Sequence, residues 1–210
     1  MLSGSGRTVA NLLERTGQAP VPLTAAVSGT LPATIVAVIA SRPCRGAEIA
    51  REAGLPVEII PGDIPAAQLA EVLQRYRADW IVLAGYLRRV NIPTGTPTVP
   101  GGRPARDYTG RVVNIHPALL PRFGGPGMYG ARIHAAVLAA GETESGCTVH
   151  LADGAYDQGP IVLQKECPVL PTDTPQTLAA RVFELEKEAY PEALRILFER
   201  EGARAETRPE

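Results

Sequence analysis

The chain predicts an α/β fold, with a mostly parallel, twisted sheet flanked by helices, mixed C-terminal strands and a long C-terminal helix. Three observations predict it. Short β-branched runs alternate with helical patterns through the first half, a rhythm that calls for parallel strands joined by helical crossovers. Near residue 143 the rhythm gives way to two longer apolar runs separated by a turn-rich segment. The chain then closes on a continuous helical pattern. Together these describe a Rossmann-like sheet with an antiparallel or mixed extension.

Taken in order, TVANLLER (8–15) has helical spacing, and ATIVAVIA (33–40) reads as a buried strand. AEIAREAG (47–54) is helical, VEIIP (57–61) a strand, PAAQLAEVLQRYR (65–77) helical and WIVLAG (80–85) a strand. RVVNIH (111–116) is a fourth buried strand, and ARIHAAVLAA has helical spacing. SGCTVHLA and PIVLQKECPVL follow as longer strands around the turn DGAYDQG. TPQTLAARVFELEKEAYPEALRILFER reads as one long helix, with Thr174 as N-cap, Pro175 in the first turn and Pro191 expected to kink or divide it. GARAETRPE is expected to be a frayed polar tail, so the reading is one domain over 1–200 and a tail over 201–210. The loops at 20–32 and 91–110 are rich in glycine and proline, and the second is long enough to be a lid.

Composition narrows the function. Hydrophobic residues make up 45% of the 210, enough for a core, while 21 basic residues nearly balance 22 acidic ones. That balance argues against a nucleic-acid-wrapping surface or a polybasic membrane anchor. No apolar run reaches the roughly 18 residues of a membrane span, and no signal peptide opens the chain. Cys44, Cys147 and Cys167 are far apart without C-x-x-C spacing, as expected of reduced thiols in a cytoplasmic protein. His116, His134 and His150 show no metal-binding spacing, so no metal is expected.

Three stretches can carry chemistry. SGSGRT (3–8) is a glycine-rich turn opening a helix, where backbone N–H groups and the helix dipole favour an anion. Gly4 and Gly6 would allow close approach, with Ser5, Arg7 and Thr8 as further donors; a plain turn is the alternative. Only Met1 and Leu2 precede it, where a Rossmann-like sheet places its central strand. That strand is expected to be lacking unless residues upstream of Met1 supply it, leaving the turn poorly anchored.

The second stretch, NIHPALLPRFGGPGMYG, puts Asn114 and His116 at the carboxyl end of a buried strand, where open α/β sheets bind ligands. An amide there can donate to an oxygen gaining charge, and an imidazole can be a cationic donor or proton shuttle. Both could equally be bonded to loop backbone. In the third, Asp157 sits in a glycine-flanked turn; a carboxylate set against an imidazole would raise its pKa and exchange protons with it. His150 and His134 are readable as structural histidines.

These stretches, with VLAGYLRRV (82–90), SGCTVH (145–150) and YDQGPIVLQ (156–164), resemble the formyltetrahydrofolate-dependent formyltransferases over about residues 2–197. The GGPGMYG continuation is similar to the branch acting on glycinamide ribonucleotide. The resemblance implies formyl transfer from 10-formyltetrahydrofolate, as co-substrate, to the amine of that ribonucleotide in purine synthesis. It assigns catalysis to Asn114, His116 and Asp157. Asn114 and protonated His116 would hold the oxyanion, and Asp157 would set the charge of His116 and relay a proton, through water. It also implies phosphate binding by Gly4, Ser5, Gly6, Arg7 and Thr8, glycinamide binding by Glu186, and folate binding by Leu87, Arg88 and Val90, with Thr148 and His150 in support. Residues 1–110 would then form the phosphate- or nucleotide-binding half and 111–200 the catalytic and folate-binding half. The implied partners are small molecules alone, with neither nucleic acid nor membrane, and the implied state is a monomer or homodimer. A formyltetrahydrofolate hydrolase and a non-catalytic folate- or nucleotide-binding module are the alternatives. A transfer-RNA formyltransferase would be expected to carry a further RNA-binding domain after 200.

Overall fold

A computed structural model describes residues 1–19, 31–95 and 106–206. Most of the two loops expected at 20–32 and 91–110 lies outside the described residues. The elements run α1 (Arg7–Arg15), β1 (Val38–Ala40), α2 (Arg45–Glu52), β2 (Val57–Ile59), α3 (Ala66–Arg75), β3 (Ile81–Leu83), β4 (Val112–His116), α4 (Ala131–Ala139), β5 (Glu144–Leu151), β6 (Ile161–Pro168) and α5 (Pro175–Glu206). β1 pairs with β2 and β3 with β4 in parallel, while β4–β5 and β5–β6 are antiparallel. The expected change from parallel to antiparallel pairing is present.

Met1 and Leu2 join the two sheets. The Leu2 N–H donates to the Ile39 carbonyl at 2.9 Å, and the Ser41 N–H donates to the Leu2 carbonyl at 3.2 Å. On the other side the Ala84 N–H donates to the Met1 carbonyl at 2.8 Å, and the Met1 ammonium donates to the Val82 carbonyl at 2.6 Å. Two residues thus fill the carboxyl end of the central strand position, with the Leu2 side chain buried against Val9, Leu13 and Val38. The expected loosening of the turn after them is not found: the Gly46 N–H donates to the Gly4 carbonyl at 3.2 Å and ties the turn to α2.

Below Leu2, a cavity of about 560 Å³ lies between the β1 and β3 sides, lined by Ile35, Val36, Val38, Ile81 and Leu194 among others. It explains why the run over 33–40 yields only three residues of strand. A strand exists by pairing, and the segment before Val38 pairs instead with a side chain. The Ile35 N–H donates to Gln18 Oε1 at 2.7 Å, and Gln18 Nε2 returns a bond to the Ile35 carbonyl at 3.0 Å.

α5 organises the C-terminal half. Thr174 caps it, its Oγ1 accepting from the Thr177 N–H at 3.2 Å. The helix continues through Pro191 without division. Proline removes the N–H that would bond the carbonyl four residues earlier, and that carbonyl, of Lys187, accepts instead from Asn11 Nδ2 at 3.1 Å and from the Arg15 guanidinium at 3.2 Å. α1 therefore satisfies the group that proline orphans. α5 extends to Glu206, into the segment expected as a polar tail, and the residues after it lie outside the described ones. Trp80 Nε1 donates to Glu201 at 2.8 Å and Arg111 pairs with the same carboxylate, holding the final turns to the sheet.

The fully buried Tyr190 hydroxyl reaches the carbonyls of Leu83 at 2.8 Å and Val113 at 2.9 Å, fastening α5 to β3 and β4. Tyr190→Phe removes the buried hydroxyl proton that the two carbonyls share and is expected to lower unfolding stability by about 0.5–1.5 kcal/mol. Urea denaturation with an unchanged slope would show this, and an unshifted midpoint would contradict it.

Candidate active site

Side chains on a strand alternate between faces, so Asn114 and His116, two apart on β4, share one. Asn114 stands opposite His150 of β5, and His116 opposite Thr148. The N–H pair of Asn114 reaches His150 Nε2 at 3.1 Å and Asp157 Oδ1 at 3.4 Å. His150 Nδ1 lies 3.1 Å from the Leu151 carbonyl, and its Nε2 faces both the Asn114 amide and the Asp157 carboxylate. Asp157 Oδ2 lies 3.5 Å from His116 Nδ1, and its Oδ1 lies 3.5 Å from His150 Nε2. The three residues assigned to catalysis converge, and His150 joins them as a direct neighbour rather than a remote support.

The glycine-rich loop is explained by Asp157, which has φ 55° in the turn between β5 and β6. The Gly125 N–H donates to its Oδ2 at 3.0 Å. A Cβ on Gly124 would lie 3.2 Å from the Asp157 Cβ and 2.5 Å from Leu120 Cδ2, so a side chain there would push the loop off the carboxylate. Thr148 shapes the stretch just after His116: its hydroxyl donates to the Ala118 carbonyl at 2.7 Å and accepts from the Leu120 N–H at 3.0 Å. Gln164, a residue the sequence reading passed over, donates to Thr148 Oγ1 at 2.9 Å and to the Leu120 carbonyl at 3.0 Å. Its position opposite Thr148 on β6 was the available signal.

His116 departs from expectation. Its Nε2–H donates to the Phe123 carbonyl at 2.8 Å, which leaves Nδ1 as the nitrogen that faces Asp157. Its pKa lies below 6.5, not above: burial disfavours the cation more than Asp157 and the Phe123 carbonyl favour it, and His150 adds a smaller push in the same direction as burial. For Asp157, burial pushes the pKa up. The bond to His150, the His116 charge and the Gly125 N–H together outweigh it, so the carboxyl titrates below its ordinary value.

The remaining assigned residues divide. Gly6, at φ 78°, opens α1, but its missing side chain serves packing: a Cβ would lie 2.4 Å from the Gly46 Cα of α2. Gly4 has open space around it, and Ser5 and Arg7 are exposed, with the Arg7 guanidinium 4.2 Å over the Phe183 ring of α5. Glu186, one turn along α5, is pushed up to about 7 by burial against the lowering charge of Arg7, so the turn and this carboxyl face a common region. Val90 is buried, and Arg88 is exposed with Asp63 at 3.9 Å. Both line a small cleft with Tyr86, Asn114, His150 and Asp157; Leu87, half exposed, does not. The larger cavity beside β1 touches none of the assigned residues.

An amide, an imidazole and a carboxylate thus meet at the carboxyl end of β4, in a sheet paired in parallel on one side of that strand and antiparallel on the other. The formyl transferase family model matches residues 8–194, and the chain belongs to that family. The chloroplastic phosphoribosylglycinamide formyltransferase of Arabidopsis thaliana is 36% identical over 172 residues, 79% of this chain and 56% of that protein. The phosphoribosylglycinamide formyltransferase of Mycobacterium tuberculosis is 36% identical over 188 residues, 87% of this chain and 75% of that protein. The crystal structure of glycinamide ribonucleotide transformylase 1 from Symbiobacterium toebii superposes with a TM-score of 0.72 at 35% identity, over 92% of this chain and 83% of that one. The chain spans about half the length of the plant relatives it matches, 56% and 55%.

In the unfolded chain His116 titrates near 6.5. Its lowered folded pKa means that the unfolded state binds more protons between the two values. The stability this neutral imidazole contributes is full above 6.5 and is lost as pH falls through that window. His134, also lowered by burial, acts with the same sign. Proton NMR is expected to show His116 titrating below 6.5, and lower still in Asp157→Asn, which removes the neighbouring charge that favours the cation. A titration above 6.5 would contradict the balance of burial over charge.

Proposed function

We propose that the protein transfers the formyl group of 10-formyltetrahydrofolate to the amine of glycinamide ribonucleotide in purine synthesis. The convergence of Asn114, His116 and Asp157 beside the cleft carries the reading, and the names of its relatives support the substrates. As the amine attacks the formyl carbon, the carbonyl oxygen gains negative charge. Of the two Asn114 contacts, the 3.4 Å one to Asp157 is the weaker, and its N–H is the one to turn toward that oxygen. The oxyanion also favours a proton on His116, reversing the preference burial sets at rest. The amine must lose one proton and the departing folate nitrogen must gain one; the ionised Asp157 takes and returns it, directly or through water.

Gly4, Ser5, Gly6, Arg7 and Thr8 hold the phosphate at the start of α1, where the helix dipole adds to their donors. Glu186 meets the glycinamide end, and Arg88 and Val90 border the folate. The domain reading follows, with phosphate binding in 1–110 and catalysis in 111–200. The reading is of a cytoplasmic enzyme, monomeric or homodimeric, acting on small molecules; among the described residues no helix is long and apolar enough to cross a membrane.

Incubation with 10-formyltetrahydrofolate, with and without glycinamide ribonucleotide, tests the proposal. Tetrahydrofolate is expected to appear only with the ribonucleotide, and formate release without it would indicate a hydrolase. Asn114→Ala should lower kcat by roughly 10²–10³ if its amide holds the oxyanion; undiminished turnover would remove that role.

A further inference from the structure

Arg89 has no part in the scheme above, yet it crosses the cleft. Its Nε–H donates to the Gly154 carbonyl at 3.0 Å, joining the segment after β3 to the turn that carries Asp157. The side chain is exposed and has no ion-pair partner among the described residues, unlike its neighbour Arg88, which lies by Asp63. The cleft beneath holds only about 60 Å³. Pockets for ligands the size of a reduced pterin run to roughly 300–1,000 Å³, so its walls must part for one to enter. Those walls are the segments Arg89 connects: Tyr86, Arg88, Arg89 and Val90 face Gly154, Tyr156 and Asp157.

We infer that Arg89 is a positioning residue that latches the 153–157 turn across the folate cleft, holding Asp157 against His116 and gating passage of the folate. The inference rests on the folate reading of this site. It assigns the work to the Nε–H hydrogen bond rather than to an ion pair, because the contact is to a backbone carbonyl.

Two substitutions separate the bond from the charge. Glutamine carries an N–H at the same number of bonds from the backbone as arginine Nε, and methionine fills similar space with no donor. In the ligand-free protein, Arg89→Met is expected to speed amide hydrogen exchange over 153–157 by about two- to tenfold, the range one such bond supports. Stopped-flow release of tetrahydrofolate should speed by a similar factor, with the KM for the ribonucleotide unmoved. Arg89→Gln should stay near wild type in both. Unchanged exchange in Arg89→Met, faster exchange with unchanged release, or Arg89→Gln as fast as Arg89→Met would each overturn the latch. Wild-type protein that binds no tetrahydrofolate would overturn the folate reading and the gating role together, whereas an unaltered methionine variant of a folate-binding wild type would overturn the latch alone.

Discussion

The carboxylate of Asp157 is the constraint around which the site is arranged. Within 3.5 Å it meets His116, His150, Asn114 and the Gly125 N–H, contributed by β4, β5 and the loop between β4 and α4. Burial opposes its ionisation, and those neighbours reverse the outcome. A charge held this way needs its surroundings fixed, which accounts for much else nearby. Gly124 has no side chain where one would crowd Leu120 and the Asp157 Cβ, and Thr148 with Gln164 fixes the chain leaving His116. Backbone carbonyls hold one nitrogen of each histidine, and the carboxylate is the group that His116, His150 and Asn114 share.

The remaining architecture delivers those elements to one edge. β4 is central to its sheet, paired with β3 on one side and β5 on the other, so its carboxyl end is rigid. Tyr190 binds the β3 and β4 carbonyls to α5. The same helix brings Phe183 under Arg7 and Glu186 toward the α1 turn. Pro191, which by itself would break the helix, is accommodated because Asn11 and Arg15 of α1 take the carbonyl it frees. The contact between the turn and the long helix is therefore built on a proline.

Much of this was legible in the sequence because the determinants are local. An amide and an imidazole two residues apart at a strand end must share a face, and Thr174 followed by Pro175 starts a helix for reasons of backbone bonding alone. What was not legible depends on partners distant in the chain. The apolar run over 33–40 carries a strand pattern, but Gln18 takes the hydrogen bonds of Ile35. That Gly6 packs its backbone against Gly46 of α2 is not written in its local sequence. The protonation of His116 depends on burial against nearby charge, which spacing cannot give. Arg89 has no signature beyond a charge, since its partner is a carbonyl 65 residues away.

The central claim is that Asp157 and His116 work as one unit, and a double-mutant cycle on turnover tests it most directly. Asp157→Asn, His116→Ala and the double variant would be compared by kcat under one set of conditions. If the pair acts as a unit, the double variant should be about as slow as the slower single variant. If the two losses multiply in full, the carboxylate and the imidazole contribute independently, and the account of a shared charge at this rim is contradicted.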